Sequence, residues 1–143
     1  MITETAKRKI ALFLKEFYNT ANVGVGGNAS NPNSDTLDVP ILGANKSITV
    51  SESSANVLDF TATFTGSELD GNTVREFGIF SATTPGDEAF DELRTTTSYS
   101  AETTMLARVN FDALGTFNAS DELEITLTVE VEWCQQVLLI RTS

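Results

Sequence analysis

The sequence contains no histidine and a single cysteine, Cys134. Histidine is the base that most often activates a serine or cysteine nucleophile, so its absence nearly closes that route to catalysis. A Ser–Lys pair would depend on few lysines, of which only Lys46 lies beyond the first fifteen residues. One cysteine without histidine cannot furnish a zinc site unless carboxylates supply nearly every ligand. Nor can a lone cysteine close a disulfide within the chain. No apolar run approaches the roughly 20 residues of a membrane-spanning helix. "IALFL", residues 10–14, is short for a signal-peptide core, and no small-residue cleavage site follows it. The expectation is a protein made and used without crossing a membrane, whose sequons at Asn28, Asn45 and Asn118 stay unmodified.

Positive charge is also scarce. Nine Lys and Arg face twenty Asp and Glu, for a formal net charge of −11. Such a surface repels phosphate backbones and anionic lipid, so neither direct nucleic-acid binding nor membrane association is expected. Lys7, Arg8, Lys9 and Lys15 sit together near the N-terminus, with only Glu4 and Glu16 among them. A basic head on an acidic body suits head-to-body contact between neighbouring subunits. A solvated helix face is the plainer alternative. With 143 residues, 41% of them hydrophobic, the chain is long enough for one domain whose core needs no disulfide.

Two hydrophobic periods divide the chain. Over residues 3–18, Ala6, Ile10, Phe13, Leu14 and Phe17 recur at three- and four-residue spacings, which predicts an amphipathic helix with Thr3 as N-cap and an end at Asn19–Asn22. The period then becomes two. Strands are predicted at "NVGVG", "SITVS" (47–51), "VLDFTATF", "VREFGIF" (74–80), "MLARVNF", "EITLTVEVEW" and "VLLI" (137–140). "VREFGIF" is apolar on both faces and is expected to be central. In "EITLTVEVEW", Ile125, Leu127, Val129, Val131 and Trp133 are expected inside, Trp133 as core rather than as a sugar platform. Asp70-Gly71-Asn72 marks a turn. The fold class is therefore mainly β, an antiparallel β-sandwich preceded by one N-terminal α-helix. The expected layout is a single domain over 1–143. Within it, 1–20 is the helix, 21–133 the sandwich with a long Ser/Thr-rich loop at 81–104, and 134–143 a last strand or arm.

"VGVGGNASNP", residues 23–32, satisfies G-x-G-x-x-A through Gly24, Gly26 and Ala29. A phosphate cradle needs a helix to lead out of such a loop. Pro32, Pro40 and the Asn, Ser and Asp between them cannot continue a helix, so no phosphate site is expected. Gly24, Gly26 and Gly27 are instead expected where a Cβ would clash. Asp87, Glu88, Asp91 and Glu92 form an acidic cluster that could hold calcium, but they lack the spacing of a calcium loop; a solvated loop is the alternative. No pair of carboxylates is singled out as glycosidase-like. Arg75, Glu76 and Arg108 place charge in apolar strands, where each must be paired or reach an edge. A carboxylate within the chain is the plain partner for Arg108 and a subunit-interface salt bridge the sharper one. No catalytic residue and no cofactor are expected.

The order of segments resembles a group of small structural proteins of tailed bacterial and archaeal viruses, found among tail, baseplate, neck and fibre-associated genes. A short helix is followed by "VGVGGNASNPNSDT", then "LDFTATFTG", "GNTVREFGIFSA" and "MLARVNFDALGTFNASDELEITLTVEVE". Members have a "VGTGTTAP"-like first loop, "V.E.GLF" in the central strand, and "LLAR..F" before a "DELTVTYTI"-like last strand. The likeness spans roughly residues 3 to 132. The loop after "GIFSA" is longer here, and the tail from Trp133 to Ser143 runs past the usual end. The resemblance implies a helix-plus-β-sandwich subunit without catalytic activity, located in the virion. Its implied partners are other virion structural proteins and further copies of itself. Candidate interface residues are Lys7, Arg8, Phe13, Phe17, Arg75, Glu76, Phe90, Tyr99 and Arg108. The alternatives are a capsid decoration or head-fibre protein, and a host-surface glycan-binding module with Tyr99 as its exposed aromatic.

Overall fold

The computed structural model describes residues 2–28, 36–81, 105–134 and 137–142, and from residue 133 onward the backbone alone. The helix α1 (Glu4–Phe17) starts where Thr3 accepts a hydrogen bond from the Ala6 N–H at 3.1 Å, the capping the sequence predicts. Ala11 and Leu14 are buried, with Ile10 and Phe13 half-buried beside them. The helix ends sooner than expected. Tyr18 is already extended, at φ −106° and ψ 92°, and opens the strand β1 (Tyr18–Gly24). Asn19–Asn22 are thus strand residues, because pairing to the next strand outweighs their turn propensity.

The remaining strands are β2 (Lys46–Ser47), β3 (Thr49–Ser54), β4 (Val57–Thr65), β5 (Glu76–Ser81), β6 (Met105–Asn110), β7 (Glu122–Cys134) and β8 (Val137–Thr142). They form two antiparallel four-stranded sheets, ordered β2-β1-β5-β6 and β3-β4-β7-β8. The molecule is a helix-preceded, mainly β sandwich. Alternation in β4 buries Leu58, Phe60, Ala62 and Phe64, and in β7 it buries Leu127, Val129 and Val131. The register Leu58↔Val129 and Phe60↔Leu127 puts these rows on one face. Ala21, Val23, Phe77 and Ile79 meet them from the other sheet. Each fully buried Phe, Leu or Ile contributes about 1.5–3 kcal/mol. Ala11 and Leu14 of α1 join the same core.

Two local predictions change. "SITVS" is not one strand. Lys46–Ser47 pair with β1, whereas Thr49 onward pairs with β4, so the chain passes from one sheet to the other at Ile48. The Ile48 N–H donates to the Asn19 carbonyl at 3.0 Å there. Between β4 and β5 stands an unexpected one-turn helix, α2 (Gly66–Leu69), capped by Thr65 accepting from the Glu68 N–H. The predicted Asp70–Asn72 turn ends it, with Asp70 and Gly71 both left-handed at φ 48° and 71°. Elsewhere β5 is interior and buried at all six positions, as predicted for a central strand. Residues 137–142 pair with β7, so the C-terminal segment contains a strand.

Candidate functional site

The described residues that follow β1, 25–28 and 36–42, form a strap over the outer face of the β2-β1-β5-β6 sheet. Alternation dictates what lies on that face. Val23 and Phe77 point into the core, so their neighbours Asn22, Gly24, Glu76 and Gly78 point out. Arg108 pairs with Gly78 and shares this face. Residues 39–41 return beside β1, with the Val25 N–H donating to Val39 O at 2.9 Å and the Ile41 N–H to Val23 O at 2.8 Å. Leu37 then lies over Gly78, where a Cβ would approach Leu37 Cδ2 to 2.9 Å.

Glu76 is the anchor. Its side chain is fully buried and crosses Gly24 to reach the strap. Oε2 accepts the N–H of Gly26 at 2.7 Å and of Val39 at 3.1 Å. Oε1 accepts the Asp38 N–H at 2.8 Å and Arg108 Nε–H at 3.2 Å. Arg108, whose side chain is 2% exposed, donates from Nη2 to Asn28 O at 2.8 Å and pairs with Asp38 Oδ2 at 3.3 Å. A charge taken out of water is tolerated only with this degree of compensation. All donors converging on Glu76 belong to the strap or to Arg108, so its carboxylate fixes backbone and does not face a cleft.

A second clamp is Asn22. Its Oδ1 accepts the N–H of Leu42 at 3.2 Å and of Val23 at 2.8 Å. Its Nδ2 donates to Leu42 O at 3.0 Å and Asn45 Oδ1 at 3.2 Å. Lys46 is the third. Nζ donates to Thr63 O at 2.7 Å and Glu68 Oε1 at 2.8 Å, and lies 5.6 Å from the Phe64 ring centre. That ion pair ties the short β2 to α2.

The glycine expectation holds for two of three positions. A Cβ on Gly24 would stand 2.5 Å from Val39 O, and one on Gly26 would fall on Glu76 Oε2 and Asp38 Cβ. Gly27 differs, since its nearest neighbour would be Arg75 Nη1 at 3.7 Å, an ordinary contact.

The candidate interface residues separate into groups. Glu76 and Arg108 are corrected: they are buried against each other within the chain and present no surface to a neighbour. The carboxylate partner considered for Arg108 is the arrangement found. Lys7 pairs with Glu4 at 3.1 Å, and Arg8 reaches Glu52 at 3.7 Å. Lys15 shares Glu52 at 3.5 Å, so part of the basic head meets the acidic body within one chain. Phe13 and Phe17 stack with centroids 5.4 Å apart, both half-buried. Arg75 is exposed. Phe90, Tyr99, the acidic cluster Asp87, Glu88, Asp91 and Glu92, and the Trp133 side chain lie outside the described residues. Among the described residues no group of three or more Asp, Glu, Cys or His is placed to hold a metal ion. No described helix is long and apolar enough to cross a membrane.

No protein-family model matches the chain, and no curated protein matches it either. The residues that sequence reasoning missed are Asp38 and Asn22, the strap's other holders, and Glu68. Thr65-x-x-Glu68 is a capping pattern that marks α2 in advance. Nothing in the local sequence of Asp38 or Asn22 signals their long-range partners.

Proposed function

We propose that the chain is a non-enzymatic structural subunit of a tailed-virus particle, assembling by protein–protein contacts in the tail, baseplate or neck. The observation that carries this reading is the use made of buried charge. Glu76 and Arg108 spend their hydrogen-bonding capacity on immobilising a surface strap, which favours a fixed outer contour over a reactive group. A rigid contour suits contacts made by surface fit, because little conformational freedom is lost on association. The resemblance of the segment order to small virion structural proteins adds to this. A capsid decoration or head-fibre position is the second placement, and it asks the same of the fold.

The test is assembly. The purified chain, alone or co-expressed with neighbouring gene products, is expected to form a ring or oligomer by light scattering and to enter purified particles. A strictly monomeric species absent from particles contradicts the proposal.

A further inference from the structure

Arg75 stands out among the cations of this acidic chain. Lys7, Arg8, Lys15, Lys46 and Arg108 each have a carboxylate partner within the chain. Among the cations with described side chains, Lys9 and Arg75 have no carboxylate partner among the described residues. Lys9 sits on the open surface of α1. Arg75 is held in place on both sides: its N–H donates to Gly24 O at 2.8 Å, and its carbonyl accepts from the Phe111 N–H at 2.9 Å. Its side chain borders an open depression of about 460 Å3, lined also by Gly27, Asn110, Phe111, Asp112 and Ala113. The depression adjoins the strap, on the β2-β1-β5-β6 side of the molecule.

Unpartnered negative charge lies on the opposite layer. Leu123 and Ile125 turn into the core, so Glu122 and Glu124 project from the outer face of β7. Both are exposed, and neither is in an ion pair among the described residues. Each stands beside a hydroxyl, since the register pairs Glu122 with Thr65 and Glu124 with Thr63. Arg75 beside Asp112 offers the matching set, a donor for a carboxylate and an acceptor for a hydroxyl.

We infer that the Arg75 depression of one copy receives the Glu122–Glu124 edge of a second copy. This deepens the structural reading and rests on it. The contact joins different surfaces of the two copies, so it leaves a free donor and a free acceptor at each end and propagates into a ring or stack. In a chain of net charge −11, an unpaired arginine is the feature that lets one copy attract another.

Charge exchange tests this, by sedimentation of the full chain in low salt. Arg75→Glu is expected to raise the concentration for half-assembly at least tenfold, and so is the double change Glu122→Lys, Glu124→Lys. Combining all three is expected to restore assembly. Lys9→Glu, which removes the other cation without a partner among the described residues, is expected to shift it less than twofold. Melting curves confirm that each variant is folded. Arg75→Glu assembling like the parent, or folded triple variants failing to recover, overturns the inference and leaves the structural reading standing. Loss of assembly in Arg75→Glu with none in the Glu122/Glu124 variant also overturns it, and points to a different carboxylate of the second copy. A parent chain that stays monomeric at every concentration overturns it too, and absence from particles as well removes the structural reading itself.

Discussion

Glu76 Oε2 and the amide of Gly26 meet at 2.7 Å across fifty residues of sequence. That contact joins the central strand to the glycine-rich loop and explains both. The loop needs glycine because the carboxylate occupies the space of a side chain. The carboxylate can be buried because the loop brings it donors.

Removing the acceptor should therefore be costly. Glu76→Ala leaves Arg108 Nε–H and the amides of Gly26, Asp38 and Val39 without their partner. Breaking a buried pair of this kind costs about 3–5 kcal/mol. Urea denaturation should show the loss; a midpoint shift worth under about 1 kcal/mol would mean the strap does not depend on this carboxylate.

Adjacent glycines should behave differently. Gly26→Ala pushes a methyl group into Glu76 and Asp38 and should cost about 1–3 kcal/mol. Gly27→Ala meets nothing closer than 3.7 Å and should stay within about 0.5 kcal/mol of the parent. Equal effects in thermal melts would show that the strap does not lie as described.

The helix should be held to the body partly by charge. Glu52 is ion-paired with both Arg8 and Lys15, at 3.7 and 3.5 Å, in a partly exposed setting. Glu52→Gln should cost about 0.5–1 kcal/mol at low ionic strength, and the difference should vanish near 1 M salt. A salt-independent loss would assign the effect to packing.

Much of the fold was legible because burial imposes a period. Leu58, Phe60, Ala62 and Phe64 alternate without exception, and so do Leu127, Val129 and Val131, so both long strands stand out. The N-cap at Thr3 was equally plain. The split at Ile48 was not, because "SITVS" keeps one alternation while its two halves pair with different sheets. The strap was half legible. Its glycines announced a close approach, but nothing near Gly24 or Gly26 says that the approaching group is Glu76, fifty residues away. Arg108 demanded a partner by its position in an apolar strand, and only the folded chain decides between its own carboxylates and those of a neighbour.

The proposed virion role is tested most directly by averaged electron-microscope images of intact particles from cells that make the chain. Density for the two-sheet body with its leading helix, repeated by rotational symmetry in the tail, baseplate or neck, is expected. Particles without that density, together with a purified monomer that turns over a small molecule, would contradict it.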